Sequence, residues 1–302
     1  MNNKSRPQFA DMAFKIILYI IVSFVVFLLC GLLGYIIIGG VPYISWHFLT
    51  SGSNYVYAGG GIGIQLFNSI YLTVITLLIS LPLSFGASIW LAEYAPDNWM
   101  TGLIRTSLEV LSSLPSIVVG LFGFLLFVIK FRLGFSILAG SLTLAFFNLP
   151  LLIRSTEIAI RNISENQMHA GLALGISRWE VVKNVIVPEA SAEIITGIIL
   201  STGRILGETA ALIYTAGQSA SLIDFSNWNP LSITSPLCPL RPAETIAVHI
   251  WKINTEGTVS DAGKISAGSA VVLLFMVLFF DLAARYSINK RKKKTDAQLS
   301  KL

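Results

Sequence analysis

Charge is what this sequence has least of. Only 12% of its 302 residues are Asp, Glu, Lys or Arg, about half the ~25% usual in soluble domains. With 54% hydrophobic residues and a mean hydropathy of +0.73, this excludes an ordinary water-soluble globule and points to a polytopic membrane protein. Cysteine is nearly absent. Cys30 falls in an apolar run and Cys238 in a polar loop, and no spacing pairs them or builds a metal motif, so both read as structural. Histidine is as sparse (His47, His169, His249) and no carboxylate cluster accompanies it, which argues against a membrane enzyme acting on lipid phosphates. No internal repeat is visible. The glycine-rich AGGGIGI at 58–64 lacks the lysine and Ser/Thr of a P-loop, and with no Walker motif the chain is expected not to hydrolyse ATP. The net charge of +5 is no nucleic-acid signature, because the cluster Lys290–Lys294 follows the last apolar run, the usual place of a cytoplasmic anchor.

Long hydrophobic runs are abundant. Six could cross a hydrocarbon core of about 30 Å at ~20 residues each: 14–39, 65–92, 109–130, 134–154, 192–216 and 265–286. Each is expected to be helical, since open sheet edges cannot face lipid. The first is too long for a signal peptide and reads as a retained helix. The third and fourth, separated by Lys130-Phe131-Arg132-Leu133, predict a tight helical hairpin. This divides the chain into an N-terminus (1–13), a transmembrane domain (14–286) and a basic tail (287–302). A cytoplasmic loop (155–191) and an external loop (217–264) interrupt the domain. Fifteen Lys and Arg residues fall on the side of the termini and five on the other, which predicts that both termini are cytoplasmic.

Two charges contradict the pattern. The fifth run contains GRILGETAAL (203–212), with Arg204 and, four residues on, Glu208. A charge at the bilayer centre costs about 2.5–3.5 kcal/mol on insertion scales, and such groups face the bundle interior. As one continuous helix, the run would place both on one face near the midplane. They could neutralise each other, but Arg before Glu is the less favourable order. Arg204 could instead offer its planar fork to a tetrahedral oxyanion. Glu208 would then hold the arginine or accept a proton from protonated phosphate, rejecting fully deprotonated oxyanions such as sulfate. Thr209, Ser201 and Thr202 could add hydroxyl donors, and Asn148 and Ser141 are further pore candidates. Arg154, read as the end of the fourth span, is either a snorkelling anchor or part of the pathway.

The cytoplasmic loop reads SENQMHAGLALGISRWEVVKNVIVP (164–188). Ser164/Gln167 and Ser177/Glu180 suggest two capping boxes and Gly175 a helix stop. The result would be two short helices, with Pro188 opening the fifth span. Arg178, Trp179 and Lys183 would be exposed, with Trp179 a docking anchor.

The spacing of His169-Ala170-Gly171, three residues, Gly175, nine residues and Val185-Ile186-Val187-Pro188 resembles the coupling loop of type I ABC importer permeases. His169 replaces the acidic residue of that pattern, Gly171 its second alanine, and valines its Ile and Leu. GRILGETAALIYTAG (203–217), LSSLPSIVVGLFGF (111–124), NLPLLIRSTEIAI (148–160), LALGISRWEVVKNVIVPEA (172–190) and SPLCPLRPAETIAVHIW (235–251) are together similar to the PstA permeases of bacterial phosphate importers. The resemblance implies an all-α, six-span MetI-like permease of the bacterial inner membrane. It further implies a substrate pathway through Arg204, Glu208, Arg154 and Thr209. ATPase coupling would run through His169, Ala170, Gly171, Gly175, Arg178, Trp179 and Pro188. The implied partners are a PstC-like permease, a PstB-like ATPase dimer that binds the ATP and Mg²⁺, a PstS-like phosphate-binding protein, phosphate and membrane lipid. The alternatives are a PstC-like sister permease, a permease for another oxyanion, and a secondary transporter using Arg204/Glu208 as an ion relay.

Overall fold

The structure, a computed structural model, describes residues 5–55, 57–219, 223–257 and 259–299, with the side chains of 5–10, 164–166, 284 and 287–299 outside the description. Lys4 and Lys301, and the side chains of Arg6, Ser164 and Lys290–Lys294, thus lie outside the described residues. Every regular element among the described residues is helical. The helices are α1 (Ser5–Gly40), α2 (Trp46–Thr50), α3 (Gly63–Ile89), α4 (Trp99–Ser113), α5 (Ser116–Gly123), α6 (Ile137–Ala173), α7 (Arg178–Val181), α8 (Val187–Gly207), α9 (Ala210–Thr215), α10 (Ile246–Glu256) and α11 (Ala262–Leu299). Five stretches are long and apolar enough to cross a membrane, and a sixth if the bent pair α4–α5 counts as one span.

α6 is the central post. It packs against α3 along much of its length, and also against α8, α4, α5 and α9. Leu72, Leu144, Ile205 and Leu212 fill the core towards the start of α6, and Ile89, Ile160, Met168, Val182 and Ile186 fill a second core towards its end. Small residues let the helices approach closely. A Cβ on Gly123 would lie 2.2 Å from Thr143 Oγ1, and one on Gly40 would lie 2.3 Å from the Ala267 carbonyl oxygen where α1 crosses α11. Most of α1 is otherwise exposed on all sides.

Several sequence expectations change. The third run is not one straight helix: α4 and the segment Ser116–Lys130 meet at 100°. Leu114 precedes a proline and takes extended backbone (ψ 136°), because the α region clashes with the following ring. The predicted 130–133 hairpin is present, with Arg132 and Gly134 at φ +56° and +65°. Ser164 starts no new helix. Its backbone lies inside the 37-residue α6, which absorbs the first of the two expected short helices. Pro188 stands, as expected, in the first turn of α8, but no break separates α8 from α7. The chain runs from α7 into α8 through a π turn at Val182–Ile186, closed by Val187 N–H donating to the Val182 carbonyl, and this wider turn sits where Pro188 withholds its own N–H. Nor is the external loop a free excursion. Ile137 and Leu138 N–H, at the start of α6, donate to the carbonyls of Arg241 (3.0 Å) and Pro239 (2.8 Å), and Ala243 N–H donates to the Ala216 carbonyl (3.0 Å). The loop thus supplies acceptors to the first turn of α6, whose amides have none within the helix.

Candidate translocation pathway and coupling turn

Arg204 and Glu208 do not share a helical face. α8 ends at Gly207, Glu208 is extended (ψ 122°), and α9 begins only at Ala210. Glu208 Oε1 turns to the start of α9, accepting from Ala211 N–H at 3.5 Å. The continuous helix expected over 192–216 therefore breaks two residues beyond Leu206, inside an apolar sequence. Arg204 instead stacks on an aromatic face: its Cζ lies 3.8 Å from the centroid of the buried Phe147 ring of α6. That contact stabilises a guanidinium poor in water without consuming its hydrogen-bond donors. Next to Phe147, buried Asn148 donates to the Leu144 carbonyl (2.9 Å) and accepts from Ser201 Oγ (3.3 Å). Thr202 Oγ1 back-bonds to Ile198 (2.8 Å), and Ser141 Oγ to Leu72 (3.4 Å). The Ser141 bond and the Ser201–Asn148 bond tie helices together, while the Thr202 bond stays within α8. Arg204, Gly207, Glu208 and Thr209 remain partly or fully exposed. Irregular backbone at membrane depth is tolerated only against protein or beside water, so this break belongs on a face that a partner or an aqueous path covers.

Arg154 does not end a span. It lies within the apolar stretch Ile137–Ile163 of α6 and pairs with Glu109 of α4 at 2.6 Å. Both side chains are about half exposed. Glu157, three residues on, is buried and accepts from Arg105 Nε and Arg161 Nε, each at 3.1 Å. Both arginines also donate to the Leu91 carbonyl, in the π turn Trp90–Tyr94 that follows α3. This two-arginine clamp joins α3, α4 and α6. Sequence reasoning missed it, although Glu157 four residues before Arg161 is the favourable order for a helical pair.

The 171–180 turn, the candidate for ATPase coupling, matches its sequence signals closely. Gly175 has φ +77°. Its N–H donates to the Leu172 carbonyl, and Ile176 N–H donates to that of Gly171, the double bond of a Schellman stop. Ser177 and Glu180 form the reciprocal capping box. Gly171 is required by contact: a Cβ there would lie 2.4 Å from Val181 Cγ2. His169, Ala170 and Arg178 are exposed, as are Leu174 (79%) and Trp179 (54%). Trp179 is not a free-standing tip. It lines an apolar groove with Pro82, Phe85, Trp90 and Tyr94 of the α3 end. Arg178 Nη1 donates to the Glu93 carbonyl at 2.7 Å.

At the other end of α6 lies a polar knot that the sequence did not reveal. Arg241 and Glu244 are both fully buried. Arg241 Nη2 donates to Asn68 Oδ1 (2.7 Å), and Asn68 Nδ2 donates to the Glu244 carbonyl (3.0 Å). The Glu244 carboxylate accepts from Tyr55 Oη and Gln65 Nε2 and lies 3.2 Å from His249 Nδ1. Burial alone would raise the Glu244 carboxyl, but His249, Tyr55 and Gln65 outweigh it and hold the group below its ordinary value. Burial pushes Tyr55 up, and the neighbouring Glu244 charge adds to that.

Residues 84–293 match the model of the family described as binding-protein-dependent transport system inner membrane component. The chain belongs to this family. It is 50% identical over 286 residues to the probable ABC transporter permease protein YqgI of Bacillus subtilis (strain 168), covering 95% of this chain and 96% of that one. It is 30% identical over 274 residues to the phosphate transport system permease protein PstA of Haemophilus influenzae, covering 91% and 92% of the two chains. The fold is similar to that of the MetNI methionine ABC transporter in an inward-facing conformation, at a TM-score of 0.56 and 15% identity over 76% of this chain and 94% of that one. The protein is thus a multi-pass inner-membrane permease of an ABC importer. Membership of this family implies an ATPase partner and a substrate-binding protein.

Proposed function

We propose that this permease serves an ATP-driven importer of inorganic phosphate, forming half of the pathway beside a PstC-like permease. A PstB-like ATPase dimer would bind ATP and Mg²⁺, and a PstS-like protein would deliver phosphate. This chain itself would hydrolyse no ATP, and both its termini would lie in the cytoplasm. The carrying observation is Arg204, held by the Phe147 ring beside an exposed helix break, with no carboxylate at ion-pair distance among the described residues. A guanidinium fork in that position suits a tetrahedral oxyanion. Glu208, turned away onto α9, is free to meet a proton of the hydrogen-bearing phosphate. The similarity to PstA of Haemophilus influenzae supports the same substrate.

The test is uptake by the assembled importer in proteoliposomes, with ATP hydrolysis followed in parallel. Arg204→Gln should abolish phosphate uptake while hydrolysis stays stimulated by the loaded binding protein. Arg204→Lys should retain little uptake, because a point charge does not reproduce the fork. Normal phosphate uptake by Arg204→Gln would remove Arg204 from the substrate path. Uptake of sulfate or molybdate in preference to phosphate would assign another oxyanion.

A further inference from the structure

The apolar groove beside Trp179 has a volume of about 660 Å³ and follows one side of the α3 end. Pro82, Phe85 and Gly86 line it at helical spacing, Trp90 and Tyr94 continue it, and Trp179 closes it from α7. No charged side chain lines it. Gly86 leaves the space open, because a Cβ there would meet nothing within 4 Å. The aromatic walls are uncovered: Phe85 is 36% exposed, Trp90 45% and Trp179 54%.

The groove is cut into a membrane span. The apolar stretch Gly63–Tyr94 has 32 residues, ~48 Å of helix, and so overhangs a hydrocarbon core of about 30 Å by ~9 Å at each end. Pro82 lies twelve residues before Tyr94, ~18 Å along the axis. The groove therefore runs from hydrocarbon at Pro82 to headgroup level at Tyr94, where Trp and Tyr side chains gather. Positive charge stands at that same end. Arg178 Cζ lies 5.8 Å from the centroid of the Tyr94 ring, and Arg178 Nη1 donates to the Glu93 carbonyl (2.7 Å). A guanidinium carries five N–H groups, and no carboxylate reaches ion-pair distance of Arg178 among the described residues.

We propose that this groove holds one phospholipid from the leaflet on the side of the 171–180 turn, with an acyl chain between Phe85 and Trp179 and the phosphate beside Arg178. Depth and charge select this occupant together. An acyl chain enters the hydrocarbon end without bringing backbone N–H or C=O groups that would need partners there. A phosphate at the other end supplies the acceptors that the Arg178 fork leaves unused. The chain packs against α3 on one side and α7 on the other, so the lipid ties the end of a span to the turn.

The experiment follows tryptophan fluorescence of the assembled importer, purified in mild detergent, while phosphatidylcholine brominated along its chains is added. Bromine quenches on contact, and the part of the signal missing from Trp179→Phe reports the groove. In the native importer that part should be quenched saturably. Gly86→Leu should abolish the quenching by filling the groove. This variant is expected to fold, because the site is open and leucine favours a helix more than glycine does. Gly102→Leu, at an equally open site on α4, should be quenched like the native protein. Arg178→Gln should weaken the apparent affinity by about fivefold. A brominated diacylglycerol, which lacks the phosphate, should bind the native importer more weakly by a similar factor, and this arm stands even if Arg178→Gln fails to fold. Equal quenching of native and Gly86→Leu importers would show that no chain enters the groove. Absence of quenching in the native importer would assign the groove to a partner subunit, and either result overturns the proposal. Equal affinity for the diacylglycerol and the phospholipid would remove the phosphate from beside Arg178.

Discussion

Arg204, Arg154 and Arg241 each settle a guanidinium against the protein with different chemistry. Arg204 uses the Phe147 ring, Arg154 the Glu109 carboxylate, and Arg241 the Asn68 side chain with carbonyls of its own loop. Of the three, Arg204 is the one whose guanidinium makes no hydrogen bond or ion pair among the described residues, whereas Arg154 is neutralised by Glu109, which is why Arg204 is the stronger candidate to meet an anion. Glu244 gives a pH prediction. Its folded carboxyl titrates below the ordinary value of 4.5, so its contribution to stability is complete above that value and is lost as pH falls through the lower, folded value. Thermal unfolding followed across acid pH should show this loss in the native protein. Glu244→Gln should be less stable near neutrality and respond less to acid. A variant with the native acid dependence would mean that Glu244 does not carry the effect.

At the level of elements, three breaks shape the molecule: the proline bend between α4 and α5, the π turn before Pro188, and the interruption between α8 and α9. The coupling turn is the most tightly specified element, because its glycines answer different demands. Gly175 needs the left-handed region, so Gly175→Ala should cost about 1–2 kcal/mol. Gly171 needs room rather than a special backbone. Gly171→Ala should lower thermal stability, and adding Val181→Ala should recover part of the loss by removing the methyl 2.4 Å from the new Cβ. Strictly additive losses in the double variant would show that this contact is not what excludes a side chain. The Schellman stop and the Ser177/Glu180 box were legible because they depend on residues within six positions of one another. The Ser164/Gln167 box was misleading. Packing of Ile160 and Met168 in one core favours an uninterrupted α6 over a local start signal.

For the whole molecule, the exposed surfaces are as informative as the core. α1 is apolar and largely uncovered, as befits a helix bathed in lipid or in a partner. The α8–α9 break with Leu200 (61% exposed) forms an open face. In the assembled importer, Thr209→Cys should react with a membrane-impermeant maleimide at rates that differ between nucleotide-free and ATP-bound states. Exposed Cys30 is first replaced by Ser. An unchanged rate would take the break out of the moving pathway.

Scarcity of charge and the length of the apolar runs determined by themselves that the chain is helical and membrane-spanning, since lipid offers no partner for unpaired backbone. Local spacing alone also placed the Gly175 stop and the Ser177/Glu180 box. Tertiary structure decided the partnerships that span many residues: Glu157 with Arg105, Glu109 with Arg154, and the external loop folded onto α6, with Glu244 buried against Tyr55, Gln65 and His249. It also decided that Arg204 and Glu208 do not sit on one helix and form no ion pair. Spacing of four implies a shared face only while the helix continues, and here Gly207 ends α8 and Glu208 takes up the start of α9.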